Sequence, residues 1–202
     1  VNKDAPQQKY QVRFDVGLAG FQALAAEADV VILADALPSP GSEIVLPTAL
    51  HEHQVIAASL ANRASVAEWV LARQAEKGDR FSVAVIAVGE QRHGGAPRFA
   101  VEDFLAAGAV IDALAARGID HCSPEAAAAA AGFAGLARAV RHLVTASETA
   151  QALVAEGRSA EVQAAVGLEA PATQAPATQA PATDAPARSP GISRLWEFAF
   201  PG

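Results

Sequence analysis

The sequence predicts an α/β layered fold with a largely parallel central sheet, and three observations carry that prediction. Apolar, β-branched runs that read as buried strands alternate with helix-period segments through the middle of the chain. The run from Ser82 to Val88 is nearly continuous in apolar residues, as expected of a strand covered on both faces. It leads through a Gly-rich polar loop into a long apolar helix that opens on Glu102 and Asp103.

Taken in order, Val12–Phe14 is a short strand, and Gly17–Glu27 a helix whose apolar face is Leu18, Phe21, Leu24 and Ala25. Val30–Ala34 is a second buried strand ending at Asp35, followed by a compact turn over Pro38–Ser42. Glu43–Leu46 and Gln54–Ala58 read as two further strands separated at Pro47. Parallel neighbours need a connection of a dozen or more residues, so the Val30 and Ile44 strands cannot be adjacent parallel partners. Ser65 and Glu68 have capping-box spacing for a helix running to Lys77 and stopping at Gly78. Asn62 competes with Ser65 for the N-cap.

The Phe81 strand stops at Gly89 and Glu90, and Gly94, Gly95 and Pro97 keep the connection irregular. The Glu102 helix closes at Arg117 and Gly118. Ser123, Pro124 and Glu125 then supply an N-cap, an N1 proline and a dipole-compensating acid for an Ala-rich helix to about Leu143. Ser147 and Ser159 cap two shorter helices ending near Gly157 and Gly167.

Residues 1–169 thus form a single α/β domain. Residues 170–190 are a Pro/Ala/Thr repeat (APATQ, APATQ, APATD) that cannot build a core and is expected to be an extended linker. Residues 191–202 carry Leu195, Trp196, Phe198 and Phe200, an apolar tail expected to dock back on the domain. Exchange of that tail between chains would give a homodimer.

Composition excludes several classes. A net charge of -7 with scattered basic residues and 5% aromatics argues against nucleic acid and against anionic membrane. Asp, Glu or Arg interrupts every apolar run of membrane-spanning length. The single cysteine, Cys122, allows no intrachain disulfide, and VNKDAPQQKY lacks the apolar core of a signal peptide. The expectation is a soluble, cytoplasmic protein, and its acidity still leaves room for a small anion held by local groups and helix N-termini.

Ligands in open α/β sheets bind beyond the carboxyl ends of the strands, where the loop between Val88 and Glu102 must lie. Arg92 and His93 in that loop are candidate anion contacts. It is not a P-loop, because the Lys-Ser/Thr ending is missing. His51 and His53 share a strand face by spacing, without further His or Cys nearby. His121 and Cys122 are adjacent, so they point apart and make a poor nucleophile–base pair.

VIAVGEQ, RFAVEDFLAAGAVIDAL and SPEAAAAA together resemble the 2-phosphosulpholactate phosphatase family. YQVRFDVGLAG, VVILADAL, SLANRASVAEW and the closing LWEFAF add to the resemblance. It implies a three-layer α/β/α fold and Mg2+-dependent hydrolysis of a small sulfonated phosphomonoester. It further implies Asp35, Glu102 and Asp103 as catalytic carboxylates, with Glu102 and Asp103 on the metal, and Asn62, Gly89, Glu90 and Arg92 as substrate-binding residues. Two departures stand out. Pro38–Ser42 replaces a long family segment, and Thr48–His51 stands where the family has an Asn-Gly loop. They motivate a second reading, a noncatalytic relative acting as a partner-binding or assembly protein.

Overall fold

In a computed structural model, residues 6–37, 54–91 and 97–167 are described. The predictions made for Pro38–Ser42, Glu43–Leu46, His51, His53, Arg92, His93, the 170–190 repeat and the 191–202 tail lie outside these residues.

Four strands, β1 (Val12–Val16), β2 (Val30–Ala34), β3 (Gln54–Ala58) and β4 (Val83–Ala87), form one sheet in the order β1-β4-β2-β3, with every pairing parallel. The two inner strands, β2 and β4, are buried at all five positions, which is why their sequences read as unbroken apolar runs. β2 and β3 are adjacent and parallel, joined by residues 35–53, long enough for a crossover.

Side chains alternate between two cores, as strand geometry requires. Val30, Ile32, Ala34, Val83, Val85 and Ala87 face the larger core beneath α2 (Arg63–Lys77) and α3 (Val101–Ala115). Val31, Leu33, Ala84 and Ile86 face the other, closed by Phe21 and Leu24 of α1 (Gly17–Leu24). Helices therefore cover both faces, giving the three-layer α/β/α arrangement. A short antiparallel ribbon, β5 (Glu90–Gln91) with β6 (Pro97–Arg98), leaves the end of β4 and leads into α3.

α3 is the central helix, packed on β4, β2, α2 and α4 (Pro124–Leu136). Gly108 lets α3 and α4 touch: a Cβ there would lie 2.3 Å from the Ala129 carbonyl oxygen. Three short helices follow, α5 (Val140–Thr145), α6 (Glu148–Ala155) and α7 (Ser159–Ala165).

Several expectations about helix ends are corrected. α2 starts at Arg63, so Ser65 sits inside its first turn, and Glu68 pairs instead with Arg117 at 2.8 Å. The Ala-rich segment is two helices, since α4 ends at Leu136 and α5 redirects Val140 and Val144 into the core. Arg158, not Ser159, occupies the N-cap of α7. Gly78 ends α2 in the left-handed region at φ 67°, and Ser123 and Ser147 do cap α4 and α6, accepting from the amides of Ala126 and Ala150.

Candidate functional site

The carboxyl ends of β2, β3 and β4 and the first turn of α3 meet along one edge of the sheet. Their sequences fit that meeting: β2 is an apolar run ended by Asp35, β3 runs from Gln54 through four apolar residues to Ser59, β4 continues apolar through Val88 to Gly89, and α3 carries its acids in the first turn.

Asp103 is the most constrained residue there. It is buried, and its two carboxylate oxygens accept backbone N–H groups from different strand ends. Oδ1 accepts from Ala36, just past β2, at 2.9 Å, and Oδ2 accepts from Gly89, just past β4, at 2.8 Å. Gly89 has φ 71°, which turns the chain out of β4, and a Cβ there would stand 3.2 Å from the Arg98 carbonyl oxygen. Burial, and then the negative charge of Asp35, push the Asp103 carboxyl well above its ordinary range. The charge of Glu102 adds to this, and the two amide bonds pull downward without cancelling it.

Glu102 is 1% exposed and faces a separate cluster. Its Oε1 accepts the Thr149 hydroxyl at 2.5 Å and lies 3.5 Å from Nη2 of Arg98. Arg98 also donates to the Thr149 oxygen at 2.7 Å and pairs with Glu148 at 3.1 Å. Glu102 Oε2 is buried with no hydrogen-bond partner among the described residues.

Asp35 follows β2 and is half-buried. Its Oδ1 accepts from the Leu37 amide at 2.9 Å, and its own amide donates to Ala58 at the end of β3. Asn62 turns back onto β3. Its Oδ1 accepts from the Ser59 amide at 2.7 Å, which closes the loop ahead of α2 and makes no side-chain cap. Glu90, half-buried, opens the β5–β6 ribbon opposite Arg98.

Asp35, Glu102, Asp103, Asn62, Gly89 and Glu90 thus stand at or beside the carboxyl edge of the sheet. Asp35 and Glu102 act electrostatically on Asp103, whereas Asn62 is tied to β3. Among the described residues no three His, Cys, Asp or Glu side chains gather as a ready metal cluster. Sequence reasoning missed Arg98, Glu148 and Thr149. The four-residue spacing of Arg98 and Glu102 was a usable signal, but nothing local tied α6 to α3. Cys122 is as unsuited to catalysis as its sequence suggested: burial pushes its thiol up, and His121 is engaged by Arg80 at 3.0 Å.

Beside Asp35 a cavity of about 290 Å3 opens between the ends of β2 and β3 and helices α6 and α7. Ala36, Leu37, Ala61 and Leu153 give it apolar walls, and Ser59 and Glu161 are its polar members.

A family model described as 2-phosphosulpholactate phosphatase matches residues 41–171. The chain belongs to this family. The match spans β3 through α7, and so covers Asn62, Gly89, Glu102 and Asp103, while Asp35 precedes it. No curated protein matches the chain. No helix among the described residues is long and apolar enough to cross a membrane.

Proposed function

We propose that this chain is a phosphatase that hydrolyses a small phosphomonoester, of the 2-phosphosulpholactate type named by its family, with Mg2+ as cofactor. The observation that carries the reading is the placement of Asp35, Glu102 and Asp103 together at the sheet edge where α/β proteins bind ligands, with Glu102 Oε2 buried and without a hydrogen-bond partner among the described residues.

The residues suit Mg2+. The donor set is oxygen, one or two carboxylates are enough when water completes the shell, and Glu102 Oε2, without a partner among the described residues, has a lone pair that a cation would take. Glu102 would hold the ion through Oε2 and Asp103 would join it by giving up one of its two amide bonds; the ion would supply neutralisation of phosphoryl oxygens and a polarised water. Asp35, the least enclosed of the three, would accept a proton from the attacking water. Arg98 orients Glu102 through the shared Thr149 hydroxyl. Arg92 would contact the phosphate, while the amide bonds to Asp103 fix Gly89 at the strand end.

The test is phosphate release from a panel of phosphomonoesters, 2-phosphosulpholactate included, with and without millimolar Mg2+. Glu102→Gln and Asp35→Asn should each lower kcat/KM by at least tenfold while circular dichroism stays unchanged. Folded wild-type protein with no turnover on any ester would defeat the proposal.

A specific observation favours the second reading, a noncatalytic relative: Asp103 and Glu102 both already carry structural bonds. That reading predicts no change in Tm with Mg2+, and a clear upward shift would remove it.

A further inference from the structure

We propose that Thr149, on helix α6, is a positioning residue that sets the affinity for Mg2+, because its hydroxyl divides the Glu102 carboxylate into one oxygen committed to the fold and one left for a ligand. The inference rests on the phosphatase reading for the presence of Mg2+. It goes beyond that reading by tying the affinity to a helix that carries none of the proposed ligands.

The direction of each hydrogen bond follows from its partners. A guanidinium has donors only, so Arg98 Nη2 donates to Thr149 Oγ1 at 2.7 Å. A hydroxyl carries a single proton, and that proton is left for Glu102 Oε1, 2.5 Å away. The same Nη2 lies 3.5 Å from Oε1, at the limit of a hydrogen bond, so the hydroxyl is the main donor to this oxygen. Oε2 is buried and has no partner among the described residues. The terminal torsion of a glutamate is broad and roughly two-fold. Without the Thr149 bond, little would distinguish Oε1 from Oε2 or hold either in place.

Thr149 is itself held firmly. It is the second residue of α6, whose N-cap Ser147 accepts from the Ala150 amide through Oγ at 3.2 Å. The Ser147 amide donates to the Val144 carbonyl at 3.2 Å, and Val144 is buried in the larger core. Arg98 Nη1 pairs with Glu148 at 3.1 Å, so one guanidinium grips two consecutive residues of α6. The Arg98 side chain is 11% exposed and Thr149 is half-buried, which limits the competition from water. Asp35, the proposed proton acceptor, is not in this chain of bonds, which ends on Glu102. The loss of Thr149 should therefore fall on metal binding and spare the chemical step.

Calorimetric titration with Mg2+ alone measures the affinity, and phosphate release at saturating Mg2+ measures kcat, each on protein shown to be folded by circular dichroism. Thr149→Val keeps the shape without the hydroxyl and should weaken Mg2+ binding by about 10–100-fold, the usual effect of removing a bond to a metal-ligating side chain. Its kcat at saturation should stay within about threefold of wild type. Thr149→Ala, which crowds Arg98 less, should match it, and Thr149→Ser, which keeps the hydroxyl, should restore the Kd to within about twofold. Because Thr149 acts through Glu102, adding Thr149→Val to Glu102→Gln should weaken Mg2+ no further. Wild-type Mg2+ affinity in Thr149→Val and Thr149→Ala, or additive losses in the double variant, overturns the assignment, and with turnover present leaves the phosphatase reading standing. Mg2+ binding that follows the expected pattern without turnover of any ester supports the role of Thr149 and defeats the phosphatase reading. Wild-type protein that binds no Mg2+ defeats the Thr149 proposal together with the cofactor assignment.

Discussion

Replacing Asp103 by alanine removes one acceptor from each of two buried backbone donors, the amides of Ala36 and Gly89. An unmet buried donor costs about 1–3 kcal/mol, so the pair amounts to about 2–6 kcal/mol. The substitution also removes a carboxyl whose ionisation is disfavoured by burial and by Asp35, which returns part of that cost. The net expectation is a loss of about 2–4 kcal/mol, within the 5–15 kcal/mol typical of a domain, so the variant still folds. With a urea dependence of about 2 kcal/mol per molar, the midpoint falls by about 1–2 M. Asp103→Asn keeps one acceptor and turns an NH2 toward the other amide, so its loss should be about that of one unmet donor, 1–3 kcal/mol. Urea titration at pH 7, followed by circular dichroism and Trp fluorescence, measures both. An Asp103→Ala loss under about 0.5 kcal/mol, the range of ordinary surface substitutions, would refute the idea that this carboxylate ties the strand ends to α3.

Two further outcomes follow from the same geometry. Gly108→Val pushes a side chain into the Ala129 carbonyl and the Phe133 Cβ at 2.8 Å and should cost at least about 1–3 kcal/mol, whereas Gly135→Ala, with open space around it, should gain about 0.5–1 kcal/mol, both read from Tm. The Tm against pH should show opposite contributions from two aspartates. The Asp103 carboxyl is raised above its ordinary 3.8 on folding, so its contribution is full below that value and lost as pH climbs through the folded value. For Asp29, burial alone would raise the carboxyl, but the Lys77 ammonium and the Ser82 bonds outweigh it and hold it low. Its contribution is present above 3.8 and lost as pH falls through the folded value. Asp29→Asn should flatten the acid limb and Asp103→Asn the limb above 3.8, and unchanged profiles would count against these assignments.

The sheet was legible because buried parallel strands leave an unmistakable local trace: Val30–Ala34 and Val83–Ala87 contain nothing but apolar residues. The carboxylates of the α3 first turn were legible by position, since acids favour a helix N-terminus and this one follows a strand end. What they bind was not. Asp103 meets Ala36 and Gly89 across 67 and 14 residues of sequence, and Glu102 meets Thr149 across 47, contacts created only when α3 lies over the strand ends and α6 returns beside it. The break between α4 and α5 was hidden too. Alanine continues past Leu136 with high helix propensity, and the chain turns because Val140 and Val144 gain burial in the core. The capping signal at Ser65 misled because Asn62 occupies the earlier N-cap position and uses its side chain to hold the Ser59 turn.

Two amides that converge on one point from adjacent parallel strands are the donor arrangement an incoming oxyanion would seek. Here the chain answers that demand internally, with a carboxylate delivered by its own helix. The sheet edge is therefore already ligated before any ligand arrives. On the proposed phosphatase reading, a phosphoryl group would reach the Ala36 and Gly89 amides only by displacing Asp103, so the groups that grip its oxygens would have to come from the surrounding loops and from the proposed Mg2+. Binding at this edge is then an act of addition to a closed frame, one in which exchanging the resident anion for a foreign one would loosen β2, β4 and α3 together.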